Sequence, residues 1–152
     1  LNWNLKKPGE WAETDWIYDS VSEKYRLYDC NFNCLKLDGN IDLSGCTKID
    51  NIDFASNNIR TVTLPVRNIN EGEFYNCSKL EAVILQGGTT ISSGAFMNCP
   101  ALQAIYIPDS IADISDDAFA NSSKVTICAN TGSFAEAFAN KKGINFKSGS
   151  FL

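Results

Sequence analysis

The sequence predicts a right-handed α/β solenoid: one short parallel strand per coil, short helical turns opposite the strands, and a cap at each end. Three observations predict it. Ile69-Asn-Glu-Gly-Glu-Phe-Tyr-Asn-Cys77, Ile91-Ser-Ser-Gly-Ala-Phe-Met-Asn-Cys99 and Ile114-Ser-Asp-Asp-Ala-Phe-Ala-Asn-Ser122 repeat one pattern. Their phenylalanines, Phe74, Phe96 and Phe119, stand 22 and 23 residues apart, the span of one stacking coil. A second motif follows each: Leu80-x-x-Val83-x-Leu85, Leu102-x-x-Ile105-x-Ile107 and, weaker, Val125-x-x-Cys128-x-Asn130. Its alternation marks a short strand with one face turned inward. The chain divides into an aromatic-rich N-terminal cap at 1–33, coils at 34–130 and a helix-strand cap at 131–152, all one structural domain.

The first cap holds all three tryptophans, Trp3, Trp11 and Trp16, with Tyr18, Tyr25 and Tyr28. The spacing of Trp11, Asp15, Tyr18 and Ser22 permits a helix within Glu10 to Tyr25. A tryptophan cluster serves either as a hydrophobic lid on the open end of the coils or as a sugar-stacking platform, and the lid is favoured. Cys30 and Cys34, outside the clear repeats, are the pair best placed for a disulfide. Asp38-Gly-Asn-Ile-Asp42 reads as a loop, without the dense oxygen-ligand spacing of a calcium-binding loop.

Ile49-x-x-Ile52-x-Phe54 fits the strand template, and so does Ile59-Arg-Thr-Val62-Thr-Leu64-Pro65. Val62 follows Ile52 by only 10 residues, too few for a coil. Residues 49–65 therefore hold either a truncated coil or a hairpin. Within each later coil, the segment around Phe-x-Asn predicts one helical turn, capped by Ser92 or Ser93, Ser115, Asp116 and Asp117. Asn76, Asn98 and Asn121 are placed to satisfy backbone groups left unpaired at the turn. Cys46, Cys77 and Cys99 recur three residues before an apolar position and read, with Cys128, as small buried hydrophobes. At the far end Ser133 caps a helix over Phe134 to Ala139, stopped by Lys141, Lys142 and Gly143, and Ile144 with Phe146 supply a last strand.

Composition sets the remaining bounds. Of 152 residues 44% are apolar and 20% charged, enough for one folded core. A net charge of -5 and a pI near 4.6 oppose binding to a polyphosphate backbone, so nucleic acid is not expected as a partner. No run of about 18 apolar residues is present to span a bilayer. The chain starts at Leu1 and its sole methionine is Met97, which implies that a secretory leader, or the rest of a larger protein, has been removed.

Histidine is absent, which removes the usual general base and the commonest zinc ligand. Cys30 and Cys34 have no second pair near them to complete a zinc site, and no cofactor is expected. Carboxylate pairs such as Asp50 with Asp53, or Asp116 with Asp117, lack the cleft that a glycosidase needs, so no catalytic residues are assigned. Asn76-Cys-Ser78 and Asn121-Ser-Ser123 match the N-glycosylation pattern, but the repeat already explains both asparagines. By the register of the motifs, the outward sheet face carries Asn51 and Asp53, Thr61 and Thr63, Ala82, Ile84 and Gln86, Ala104 and Tyr106, then Ile127 and Ala129. Asp53, Thr63, Ala82, Ile84, Gln86, Ala104, Tyr106 and Ile127 form the candidate ligand surface, with Tyr106 as anchor.

The pattern Ile-x-x-x-Ala-Phe-x-Asn-Cys-x-x-Leu-x-x-Ile-x-Ile-Pro, complete at 91–108, resembles the BspA-like leucine-rich repeats, the type named after the Treponema pallidum repeat protein. Thr131 to Ala139 with Gly143-Ile-Asn-Phe146 resembles the segment that closes such arrays. The resemblance covers residues 41–147; Glu73 before Phe74, Ser122 in the cysteine position and the compressed spacing at 49–65 depart from it. It implies a leucine-rich-repeat solenoid in a surface-exposed or secreted protein that adheres to host proteins or other cells, and it supplies no catalytic residues. The expected function is non-enzymatic adhesion to a host or extracellular matrix protein through the sheet face. The alternatives are carbohydrate binding by Trp3, Trp11 and Trp16, and a non-catalytic spacer in a larger surface protein.

Overall fold

The computed structural model describes residues 15–19, 24–28, 38–44 and 54–150. Strands β1 (Asp15–Asp19) and β2 (Lys24–Tyr28) pair antiparallel, Asp15 opposite Tyr28 and Asp19 opposite Lys24. Residues 15–19 and 24, 25 are thus strand where the sequence permits a helix between Glu10 and Tyr25, and the rest of that segment lies outside the described residues. The helical spacing rested on two apolar positions, Trp11 and Tyr18, too thin a stripe to hold a helix on a core. Trp16-Ile17-Tyr18 and Tyr25 with Leu27 instead favour extended chain.

The next strands, β3 (Asp38–Asp42), β4 (Asn58–Leu64) and β5 (Ala82–Leu85), begin the main sheet. The chain continues through β6 (Thr90–Ile91), β7 (Ala104–Tyr106), β8 (Asp113–Ile114), β9 (Thr126–Ala129), helix α1 (Phe134–Lys142) and β10 (Asn145–Ser148). Six strands lie side by side in the order β10-β9-β7-β5-β4-β3, all parallel. Parallel neighbours require the chain to circle back between them, which makes the molecule a solenoid of about five turns. A second, narrower ladder closes the other side, where Ile69 bridges Ile91 and Ile91 pairs with Ile114. These coils therefore carry two extended segments each, not one.

Residues 38–42, expected as a loop, are β3, in register with β4 through Ile41 opposite Val62. Of residues 49–65, those from Phe54 on are described, and Ile49 and Ile52 lie outside the described residues. The strand of this coil is β4, and Phe54, assigned to a strand by the template, sits instead in the phenylalanine column. No truncated coil is needed, because Ile41 to Val62 is a coil of ordinary length.

The core is built of columns. Ile41, Val62, Val83, Ile105 and Ile127 line the inner face of the sheet, with Leu64, Leu85 and Ile107 beside them, all at most 2% exposed. Phe54, Phe74, Phe96 and Phe119 stack with ring centroids 4.9, 5.1 and 5.5 Å apart and planes within 16° of parallel. That separation is close to the roughly 4.8 Å spacing of sheet strands, so one ring per coil keeps step with one strand per coil.

The segments carrying these rings are successive reverse turns, not helices. Glu73, Tyr75 and Cys77 donate to the carbonyls of Asn70, Gly72 and Phe74, three residues back. Between them, the N–H groups of Phe74 and Asn76 go to Ala95 and Met97 of the next coil. Bonds spent across coils are unavailable along the chain, so the turn cannot propagate into a helix. Ser56, Asn76, Asn98 and Asn121 end these turns at φ of 58 to 60°, a left-handed conformation that asparagine tolerates well. Their amides also differ from expectation: Asn98 Nδ2 donates to Asn76 Oδ1 (3.1 Å) and Asn121 Nδ2 to Asn98 Oδ1 (2.9 Å), forming a ladder between side chains.

The cysteine position proves to be more than a small apolar site. Cys77 Sγ donates to Phe54 O (3.2 Å) and Cys99 Sγ to Phe74 O (3.1 Å), each reaching the coil before. Ser122 does the same to Phe96 O (2.6 Å) and accepts from the Cys99 N–H (2.9 Å). The position requires a small side chain with a hydrogen to give, which explains why serine can stand there. Glu73, the other departure, is buried where its counterparts are Ala95 and Ala118; it pairs with Arg67 and accepts from the Asn70 N–H (2.8 Å). A buried carboxylate needs such partners.

Helix α1 closes the stack as the sequence predicts. Ser133 Oγ accepts from the Glu136 N–H (3.2 Å), and Gly143, at φ 68°, ends the helix in the left-handed region. Phe138 ends the aromatic column, 6.3 Å from Phe119 and tilted by 53°.

Phe96→Ala should lower unfolding free energy by roughly 3 to 5 kcal/mol in urea titration, the cost of truncating a buried aromatic ring. Ser122→Ala should cost about 1 to 3 kcal/mol by leaving Phe96 O and the Cys99 N–H without a partner, while Ser122→Cys stays within about 1 kcal/mol of wild type. Equal losses in the two Ser122 variants would show that the donor is not what the position needs.

Candidate functional site

The register of the main sheet sets the outward side chains in two transverse rows. One runs Asn40, Thr61, Ala82, Ala104, Thr126, Asn145, and the other Asp42, Thr63, Ile84, Tyr106, Cys128, Lys147. Each member sits beside the next on the neighbouring strand. The middle of the face is small and apolar, with Ala82, Ile84, Ala104 and Tyr106 all half-buried, while Asn40, Asp42, Asn145 and Lys147 at the two ends are exposed. Thr61 Oγ1 donates to Asn40 Oδ1 (2.7 Å), which ties the polar end of the first row together.

Most of the expected surface residues lie where the sequence puts them: Thr63, Ala82, Ile84, Ala104 and Tyr106 are in these rows, and Gln86 is exposed just beyond β5. Ile127 does not. It pairs with Ile105 and is 0% exposed, facing the core, and Ala129 is buried too. The motif alignment had matched Cys128 with Ile105, one residue off, and in a strand a slip of one exchanges the faces. Thr126 and Cys128 take the outward positions, Cys128 only 1% exposed between its neighbours. Asp53, Asn51, Cys30, Cys34, Trp3 and Trp11 lie outside the described residues, and Trp16 is on β1. The sequence reading does not include Asn40, Asp42 and Lys147 on this face; for the first two the signal was the 21-residue coil length carried back one strand, and for Lys147 its alternation with the inward Phe146.

The other reactive groups serve the stack. Burial pushes the Cys99 thiol up to about 11 and raises that of Cys128 as well, so both remain protonated and poor nucleophiles at neutral pH. The Asp117 carboxylate accepts from Ser93 Oγ (2.8 Å), Ser115 Oγ (2.9 Å) and the Gly94 N–H (3.2 Å), and the two serine hydroxyls hold its pKa below the ordinary 3.8. It links adjacent coils as an ionised acceptor. Among the described residues no three acidic, cysteine or histidine side chains are grouped to hold a metal ion, and no helix is long and apolar enough to cross a membrane. Two clefts flank α1: one of about 440 Å³ over Ile114, Phe134 and Phe138, the other of about 420 Å³ beside Phe119, Asn121 and Val125.

A solenoid with a broad, ordered sheet face and its polar residues engaged between coils is a repeat module built to present a surface. Its repeats match the model of the BspA type leucine-rich repeat region in six copies over residues 23–145, and the chain belongs to that family. The family is one of protein-interaction or surface modules. Neither the comparison with curated proteins nor that with solved structures returned a match.

Because the folded-state pKa of Asp117 is depressed, its contribution to stability is complete above the ordinary carboxylate value and is lost as pH falls through the lower, folded value. Thermal melts should therefore show Asp117→Asn less stable than wild type at neutral pH, with the gap closing on acidification below about pH 4. A gap independent of pH would overturn this account.

Proposed function

We propose that this chain is a non-enzymatic binding module of a cell-surface or secreted protein, and that it engages a host or extracellular matrix protein through the outward face of its main sheet. The observation that carries this reading is the register that sets Ile84 opposite Tyr106 and Ala82 opposite Ala104 on neighbouring strands. Four small or apolar side chains, contiguous on two neighbouring strands and half-open to solvent, make the centre of an interface with a tyrosine anchor. Polar residues surround it, as an interface rim requires. The family's common association with surfaces supports the location.

A binding screen of the purified chain against extracellular matrix proteins and glycans tests this, with Tyr106→Ala as the control. The variant should bind the identified protein on the order of tenfold more weakly, with its melting temperature nearly unchanged. Undiminished binding would remove the sheet face from the mechanism, and binding to glycans alone would favour a carbohydrate-binding module.

A further inference from the structure

The second outward row has a direction. From β3 to β10 it reads Asp42, Thr63, Ile84, Tyr106, Cys128, Lys147: an acid, an apolar middle and a base. Both charged ends are exposed, and neither is in an ion pair among the described residues. Asp42 keeps its carboxylate in place through Oδ1, which accepts from the Ser44 N–H (2.9 Å). The parallel row beside it is small in the middle, Ala82 and Ala104, and carries the amides of Asn40 and Asn145 at its ends. Exposed Glu81 and Gln103 border the pair of rows on one side and exposed Gln86 on the other. The result is a band across the strands, two residues wide, with its smallest side chains at the alanines and opposite charges at its two ends.

We infer that this band binds an extended peptide segment of a protein partner in one direction, with a basic side chain at the Asp42 end, apolar side chains over Ala82 and Ala104, and an acidic side chain at the Lys147 end. The inference rests on the reading of the sheet face as the binding surface and adds the chemistry and polarity of its ligand. Strands about 4.8 Å apart set the two charges on the order of 24 Å from each other. An extended chain covers that in about seven residues. Opposite charges at the ends distinguish the two ways a segment can lie, because the reversed one brings like charges together at both ends. The apolar middle supplies contact in either direction, so the charges govern orientation and the alanines govern whether anything is seated at all.

The test is selection of a random linear peptide library, displayed on phage, on three forms of the full 152-residue chain: wild type, Ala104→Arg, and the double variant Asp42→Lys with Lys147→Glu. Melting temperatures establish that each form is folded. Wild type should enrich peptides with a base and an acid about six places apart around an apolar centre, always in one order. Ala104→Arg should lose them, and the double variant should enrich the opposite order. A synthetic peptide of the wild-type consensus should bind the double variant at least tenfold more weakly. Peptides lost on Ala104→Arg but showing no fixed order of charge would overturn the inference and leave the sheet-face reading standing. Peptides retained by Ala104→Arg would overturn both, and no enrichment on any form would overturn the linear ligand.

Discussion

The spacing between hydrogen-bonded strands governs this molecule. Each coil can rise only by the distance between neighbouring strands, so every side chain in a column must meet its copies at about that separation. The phenylalanine rings obey it at 4.9, 5.1 and 5.5 Å, nearly parallel where edge-to-face contact is otherwise available to aromatic pairs. The same rise lets Asn76, Asn98 and Asn121 join their amides, and lets Cys77, Cys99 and Ser122 each reach the carbonyl one coil back.

That constraint separates structure from function in an unusual way. Residue types that elsewhere suggest chemistry, such as thiols, carboxylates and amides, are engaged here in keeping coils in step. Asp117 is held by Ser93 and Gly94 of the preceding coil, while Glu73 pairs with Arg67 within its own coil. The outer face of the sheet is the exception. Apart from the Thr61–Asn40 hydrogen bond, no side-chain hydrogen bond joins the coils there among the described residues, and Ile84 and Tyr106 stand half-open to solvent.

Much of this was legible in the repeat. The positions of Phe74, Phe96 and Phe119 fix the coil, and Ser133 with Gly143 brackets the closing helix, because capping chemistry is local. The outward placement of Ala82, Ile84, Ala104 and Tyr106 followed from alternation within strong strand motifs. Where the motif weakened, it misled. Ile49-x-x-Ile52-x-Phe54 fits a strand template by spacing alone, yet Phe54 stacks on Phe74. Val125-x-x-Cys128 fits the same template with a slip of one, which turned Ile127 outward on paper and inward in the fold.

The sequence by itself determined that coils recur, how long they are, and which residues fill the core, since all three are properties of periodic burial. The tertiary structure alone decided which strand neighbours which residue of the next, and hence that Asp42, Ile84, Tyr106 and Lys147 share one row. The reason is that lateral register is set by hydrogen bonds between residues some twenty positions apart, while one residue more or fewer between a motif and its strand leaves the repeat recognisable and exchanges the faces read from it for that strand.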